Sequence, residues 1–282
     1  MTANRAYASY DVMTFALAAE AFIEADLSNW YVRRNKDRLH SKNADLDAAG
    51  LTDKRAAYQT LYATLATLCK LMAPCVPFVT EAMWKNLRLP ADPESVHLCA
   101  FPRADESLVD TALSEDMAAV QRVISLGLSA RQAAKLNVRQ PLAELVVQPG
   151  SEADRRAAER FPDLILDELN VKAVRLHTGS NALLVGSAKL NKKVAGGKLG
   201  ARLKAAEDEL AATDPAKLVG ELEKGPVAVA GVSLSAPDFN IEYAAQPGWC
   251  GVADRGTQVA VSTTVTEALK LEGLARDVIR QV

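Results

Sequence analysis

From about residue 7 to residue 40 apolar residues recur at helical spacing. Val12, Phe15, Ala19, Phe22, Ile23 and Trp30 fall on one face at about 100° per residue, which predicts a long amphipathic helix. Asp26 lies inside that stripe, so a partner on another helix is expected for it. A second helix is predicted from Thr52 as N-cap through Tyr58, Leu61, Tyr62, Leu65, Leu68 and Met72. Pro74 ends it, and Pro77 suits the first turn of a third helix that carries Met83 and Trp84. A further helix follows Ser114, with Met117, Val120, Val123, Ile124 and Leu128 as its buried face. Up to about residue 135 the pattern is that of a helix bundle.

The character changes at VRQPLAELVVQPG (138–150). Pro141 restricts its predecessor to extended geometry, and LAELVV alternates like a strand. A helical stretch is predicted around 152–168, then strands in VKAVRL (171–176) and ALLV (182–185), then a charged helical region over 199–224. PVAVAGVSLSA, FNIEYAA and TQVAVSTTV read as strands and EALKLEGLARDVIRQV as a helix. The expected fold is therefore mainly α: an N-terminal helix bundle over 1–135 followed by a smaller α+β domain over 136–282.

Composition narrows the function without naming it. The 282 residues carry a formal charge of −2 with a pI near 6.0, so any anion-binding role must come from a local patch. Cys69, Cys75, Cys99 and Cys250 form no CxxC pair, and His40, His97 and His177 are far apart, so no metal ligands are expected. No run of 18 apolar residues occurs and residues 1–25 lack a signal-peptide pattern. A soluble, cytoplasmic protein without membrane contact is the expectation.

Two cationic stretches remain. DLSNWYVRRNKDRLHSK (26–42) places Arg33, Arg34, Lys36, Arg38 and Lys42 against Asp37 alone within residues 31–42. Trp30 sits on the apolar stripe and is expected in the core, while Tyr31, rotated a further ~100°, is expected to present its ring outward. Arg34 follows Trp30 by four residues and Arg38 follows Arg34 by four, so they share an edge. Aromatic rings stack bases and arginine forks grip phosphates, so the cluster fits single-stranded RNA; a core tryptophan beside a solvated charged face fits it too. The second stretch, residues 169–206, holds eight cations and no Asp or Glu. It reads either as a phosphate-facing surface or as a solvated face whose acidic partners lie elsewhere.

Catalytic signatures are missing. GSNALLVG and GGKLG fit no phosphate loop, no GxSxG occurs, and the pair Asp167–Glu168 reads as a helix end rather than an acid–base dyad. No catalytic residue is expected, and the chain reads as a binding module.

DLSNWYVRRNKDR resembles the long helix of the anticodon-binding domain of class I isoleucyl-tRNA synthetases. LCKLMAPCVPFVTEAMWKNL (68–87) is similar to the helices that follow in that family. AAKLNVRQPLAELVV (133–147), LDELNVKAVRL (166–176) and STTVTEALKLEGLARDVIRQV (262–282) resemble its C-terminal region, in family order. Valyl and leucyl enzymes share the helical domain but match the later motifs less well. The HIGH and KMSKS signatures are absent, KLNKK (189–193) is no convincing KMSKS, and the editing domain has no counterpart. The resemblance thus implies a C-terminal fragment of a longer enzyme, not active alone. ATP and Mg would belong to the missing catalytic part, the fragment itself needs no cofactor, and tRNA is the expected partner, beside the missing domains. It implies RNA contacts from Asn29, Tyr31, Arg33, Arg34, Lys36 and Arg38 in the bundle, and from Lys192, Lys193, Lys198 and Arg202 in the α+β part. A protein-docking appendage, the equivalent part of a valyl-type enzyme, and a free-standing hydrolase or ligase are the alternatives.

Overall fold

The computed structural model describes residues 2–178, 183–222 and 225–281. Two compact units divide between Val109 and Asp110. The first is all helical: α1 (Thr2–Ala8), α2 (Val12–Ala21), a π-helical stretch (Phe22–Val32), α3 (Lys36–His40), α4 (Ala48–Met72) and α5 (Pro77–Leu87), with short 3-10 turns between. The long first helix expected from the sequence is interrupted at Tyr10, whose φ is +57°. Of its apolar stripe, Phe15 and Ala19 are buried, whereas Val12 and Phe22 are exposed. Asp26 is exposed as well, and so needs no buried partner. For Asp26 the π stretch supplies a reason: its i→i+5 ladder lengthens each turn, and beyond Phe22 a stripe drawn at the α period drifts off the packed face.

α4 begins earlier than expected, because Asp47, not Thr52, accepts the cap bond from the Gly50 N–H at 2.8 Å. Its end before Pro74 and the place of Pro77 in the first turn of α5 are as expected. Trp84 on α5 is 1% exposed and packs with Ala66, Cys69, Ala73 and Val96, its indole N–H donating to the Pro93 carbonyl at 2.9 Å. A second cluster gathers Ala6, Phe15 and Ala19 beside Tyr7, Leu71 and Cys75.

The second unit is α+β: α6 (Thr111–Ala133), β1 (Leu145–Gln148), α7 (Glu152–Arg160), α8 (Pro162–Leu169), β2 (Val174–Leu176), β3 (Val185–Leu190), α9 (Lys192–Leu199), α10 (Leu203–Ala212), α11 (Pro215–Leu222), β4 (Val227–Val229), β5 (Val232–Leu234), β6 (Phe239–Ala244), β7 (Trp249–Asp254), β8 (Thr257–Ser262) and α12 (Glu267–Gln281). One sheet has the order β2-β1-β8-β7, with β1 parallel to β2 and antiparallel to β8. β3 pairs with β6 and β4 with β5, both antiparallel. Of the expected strand ALLV, Ala182 lies outside the described residues.

α6, expected in the bundle, packs instead on α7, β7 and β8 and opens the second unit. Its buried face holds Val120, Val123 and Ile124 as expected, but Leu128 is 37% exposed, and Asp116 and Arg131 are buried. Asp116 accepts from Arg156 Nε at 2.7 Å and Arg160 Nη1 at 2.6 Å, which ties α6 to α7. Buried charge of this kind is invisible to a hydrophobic pattern.

Candidate nucleic-acid interface

Asn29, Arg33 and Lys36 are exposed, and Trp30 and Arg34 are half-buried. The Arg34 guanidinium lies over the Trp30 ring at 5.3 Å from its centroid, and Arg33 Nε donates to the Asn29 carbonyl at 2.8 Å. Tyr31 departs from its expected outward orientation: its hydroxyl donates to the Ala57 carbonyl on α4 at 2.9 Å. Both rings are half-buried, Tyr31 fastening helix to helix and Trp30 carrying the cation.

Arg38 is also committed to the fold. Its Nε and Nη2 hold the Asp53 carboxylate at 2.6 and 2.5 Å, and its Nη1 donates to Asn35 Oδ1 at 2.5 Å. That bidentate fork clamps α3 onto α4. Among the six bundle candidates, the solvent-facing set is therefore Asn29, Arg33 and Lys36, with the Trp30–Arg34 pair beside them on the same helical run.

The candidates Lys192, Lys193, Lys198 and Arg202 lie in the other compact unit. The cationic run of 169–206 meets acids from elsewhere in the fold. Lys172 pairs with Glu272 at 2.7 Å, Arg175 with Glu144 at 3.1 Å, Lys192 with Glu207 at 2.6 Å and Lys198 with Asp238 at 2.7 Å. Half of the eight cations are neutralised in space by these four pairs, so the segregation seen along the chain is not a phosphate-facing surface of matching size. Lys193 and Arg202 are exposed.

Lys198 holds the Asp238 carboxyl below the usual carboxylate range, helped by the Ser235 N–H at 2.9 Å. A depressed carboxylate stabilises the fold above its ordinary pKa, and the contribution is lost as pH falls through the folded-state value. Lys198→Met is therefore expected to lower the urea midpoint at neutral pH, and the gap from wild type should close in acid. A gap that stays constant into strong acid would show that the pair does not act through charge.

No group of three or more His, Cys, Asp or Glu side chains fit to hold a metal occurs among the described residues. No helix among them is long and apolar enough to cross a membrane.

Residues 2–147 match the model of a family described as the anticodon-binding domain of tRNA ligase. The isoleucine–tRNA ligase of Thermus thermophilus is 38% identical over 286 residues, covering 98% of this chain and 27% of that protein. That of Thermobifida fusca is 37% identical over 287 residues, covering 100% of this chain and 26% of the relative. The Porphyromonas gingivalis protein of the same name is 37% identical over 279 residues, covering 97% and 24%. The chain spans about a quarter of the length of the curated relatives it matches. With the family match running over residues 2–147 of 282, the chain belongs to the anticodon-binding domains of tRNA ligases.

Proposed function

We propose that this chain is the part of an isoleucine–tRNA ligase that recognises the anticodon stem-loop of its tRNA. The observation that carries this reading is the Trp30–Arg34 pair, flanked by exposed Asn29, Arg33 and Lys36 on the helix run of a family-matched anticodon-binding domain. An anticodon loop offers unpaired bases, so stacking one on an indole requires no duplex opening. The guanidinium on the ring adds charge for the adjoining phosphates. Isoleucine specificity, and the ATP and Mg of aminoacylation, belong to this proposal through the resemblance to longer ligases, not through residues of this chain.

The test is a binding series against salt with an isoleucine tRNA transcript and one that differs only in its anticodon. A preference for the first is expected, and Trp30→Leu should weaken that binding by about 1–3 kcal/mol. Equal binding with a steep salt dependence would reduce the role to phosphate gripping. No binding at low salt would overturn the reading.

One observation favours a second role for the α+β unit. Leu271, Leu274 and Val278 of α12 are 64%, 55% and 60% exposed at i, i+3, i+7 spacing. An apolar stripe of that kind suits docking against protein. Together with the neutralised cations, it makes that unit a better protein-facing surface than an RNA-facing one.

A further inference from the structure

We propose that Tyr58, with Lys54, forms a second base-stacking platform for an unpaired nucleotide of the bound RNA. The inference rests on the RNA-binding reading above and adds residues outside the cationic cluster of 26–42.

Tyr58 belongs to the apolar stripe of α4, yet it is 49% exposed. Its hydroxyl donates to the Leu39 carbonyl at 3.0 Å, so the edge of the ring is fixed against α3. Lys54 Nζ lies 6.0 Å from the ring centroid. That ammonium is itself held, donating to the Ser41 carbonyl at 2.6 Å and to Asn43 Oδ1 at 2.9 Å. Ring and cation are thus locked before any ligand arrives, and little side-chain freedom is left to lose on binding. A fixed aromatic face with a cation beside it is the arrangement that receives bases without regard to their sequence.

The placement relative to the first platform is also specific. Tyr31 donates to the Ala57 carbonyl, and Arg38 clamps Asp53. Trp30 precedes Tyr31 in the chain, and Tyr58 follows Ala57. The two rings are thus each next in the chain to one partner of the same hydrogen bond, which joins the π-helical stretch to α4. Arg55 and Lys42 are both exposed, and Asp53 is already paired with Arg38. In both aromatic–cation pairs the charge lies four residues from the ring, after it for Trp30 and before it for Tyr58.

The ring and its hydroxyl are separable by substitution. Binding of a fluorescent anticodon stem-loop is measured for the full chain, Tyr58→Phe, Tyr58→Leu and Trp30→Leu, with folding followed by circular dichroism. Tyr58→Leu should weaken binding about 5- to 100-fold, and Tyr58→Phe, which keeps the ring, less than about threefold. Replacing the stacked loop nucleotide by an abasic one should erase the difference between wild type and Tyr58→Leu. If Tyr58→Leu binds like wild type while Trp30→Leu is weakened, the second platform fails and the RNA reading stands. If Tyr58→Phe is as weak as Tyr58→Leu, the hydroxyl staple explains the loss and stacking is overturned. If the wild-type chain binds no RNA, both fall, and a protein segment becomes the ligand to seek. A measurement on the unmodified chain guards against misfolded variants: 5-iodouridine placed through the loop should photocross-link to Tyr58, and a map with no adduct on α4 would overturn the proposal.

Discussion

Arg131→Met is expected to lower the unfolding free energy of the α+β unit by about 3–5 kcal/mol. Arg131 is 1% exposed at the end of α6. Its Nη1 donates to the Leu169 carbonyl at 3.1 Å, and its Nη2 donates to the carbonyls of Asn137 and Gln140. One side chain thus satisfies the last residue of α8 and two carbonyls of the loop that leads from α6 to the sheet. Burial pushes its guanidinium down to about 10, so it stays charged at neutral pH, held by the negative ends of backbone dipoles. Methionine fills similar volume but leaves three carbonyls without their donor. Lysine should recover only part of the loss, because a point ammonium cannot serve the same three directions. The check is urea unfolding of the three proteins, and a methionine effect under about 1 kcal/mol would show that solvent can replace the clamp.

Trp84→Ala should destabilise the helical unit by about 3–5 kcal/mol. The buried residues packed with Trp84 are Ala66, Cys69, Ala73 and Val96, whose short side chains cannot reach across the space an indole leaves. The substitution also leaves the Pro93 carbonyl without its indole donor. Trp84→Phe should fall between, since it restores ring volume but not the N–H. Cys69, 1% exposed beside the ring, provides a local readout. Its thiol should become reactive to a disulfide reagent in Trp84→Ala at denaturant concentrations where wild type is protected. Equal labelling rates would mean the cavity stays closed.

How far the chain could be read in advance differs between its elements. Pro77, Pro74 and the Val120, Val123 and Ile124 face were legible because proline geometry and the α period act locally. β7 was not read at all: WCGVAD contains a glycine and lacks alternation, and its pairing with β8 decides it instead. Local period reading broke down in the π stretch, where it put Trp30 inside and Tyr31 outside. The family motif was legible in NWYVRR, but which side chains face solvent was not, because the clamps Tyr31–Ala57 and Arg38–Asp53 join residues far apart in sequence. For the cationic run of 169–206 the two alternatives, a phosphate-facing surface and a solvated face with distant acidic partners, could not be separated along the chain for the same reason. Its neutralising partners Glu272, Glu144 and Asp238 come from other elements, and charge balance in space cannot be counted along the chain.

The strand order β2-β1-β8-β7 also governs when the second unit can form. β1 at Leu145–Gln148 must wait for β8 at Thr257–Ser262 before its second edge is covered. During synthesis, β1 and β2 emerge early with one ladder open, an edge that invites pairing with another chain. Between them and β8 lies the segment that carries α9, α10, α11 and the β4–β5 hairpin, whose apolar residues form a cluster of their own around Leu199, Leu218, Leu234 and Phe239. That insert can collapse while the ribosome still holds β8. Closure of the sheet is then a late, long-range step, slowed by the loop it must close, and the nascent chain is most exposed to aggregation just before residue 262 is free.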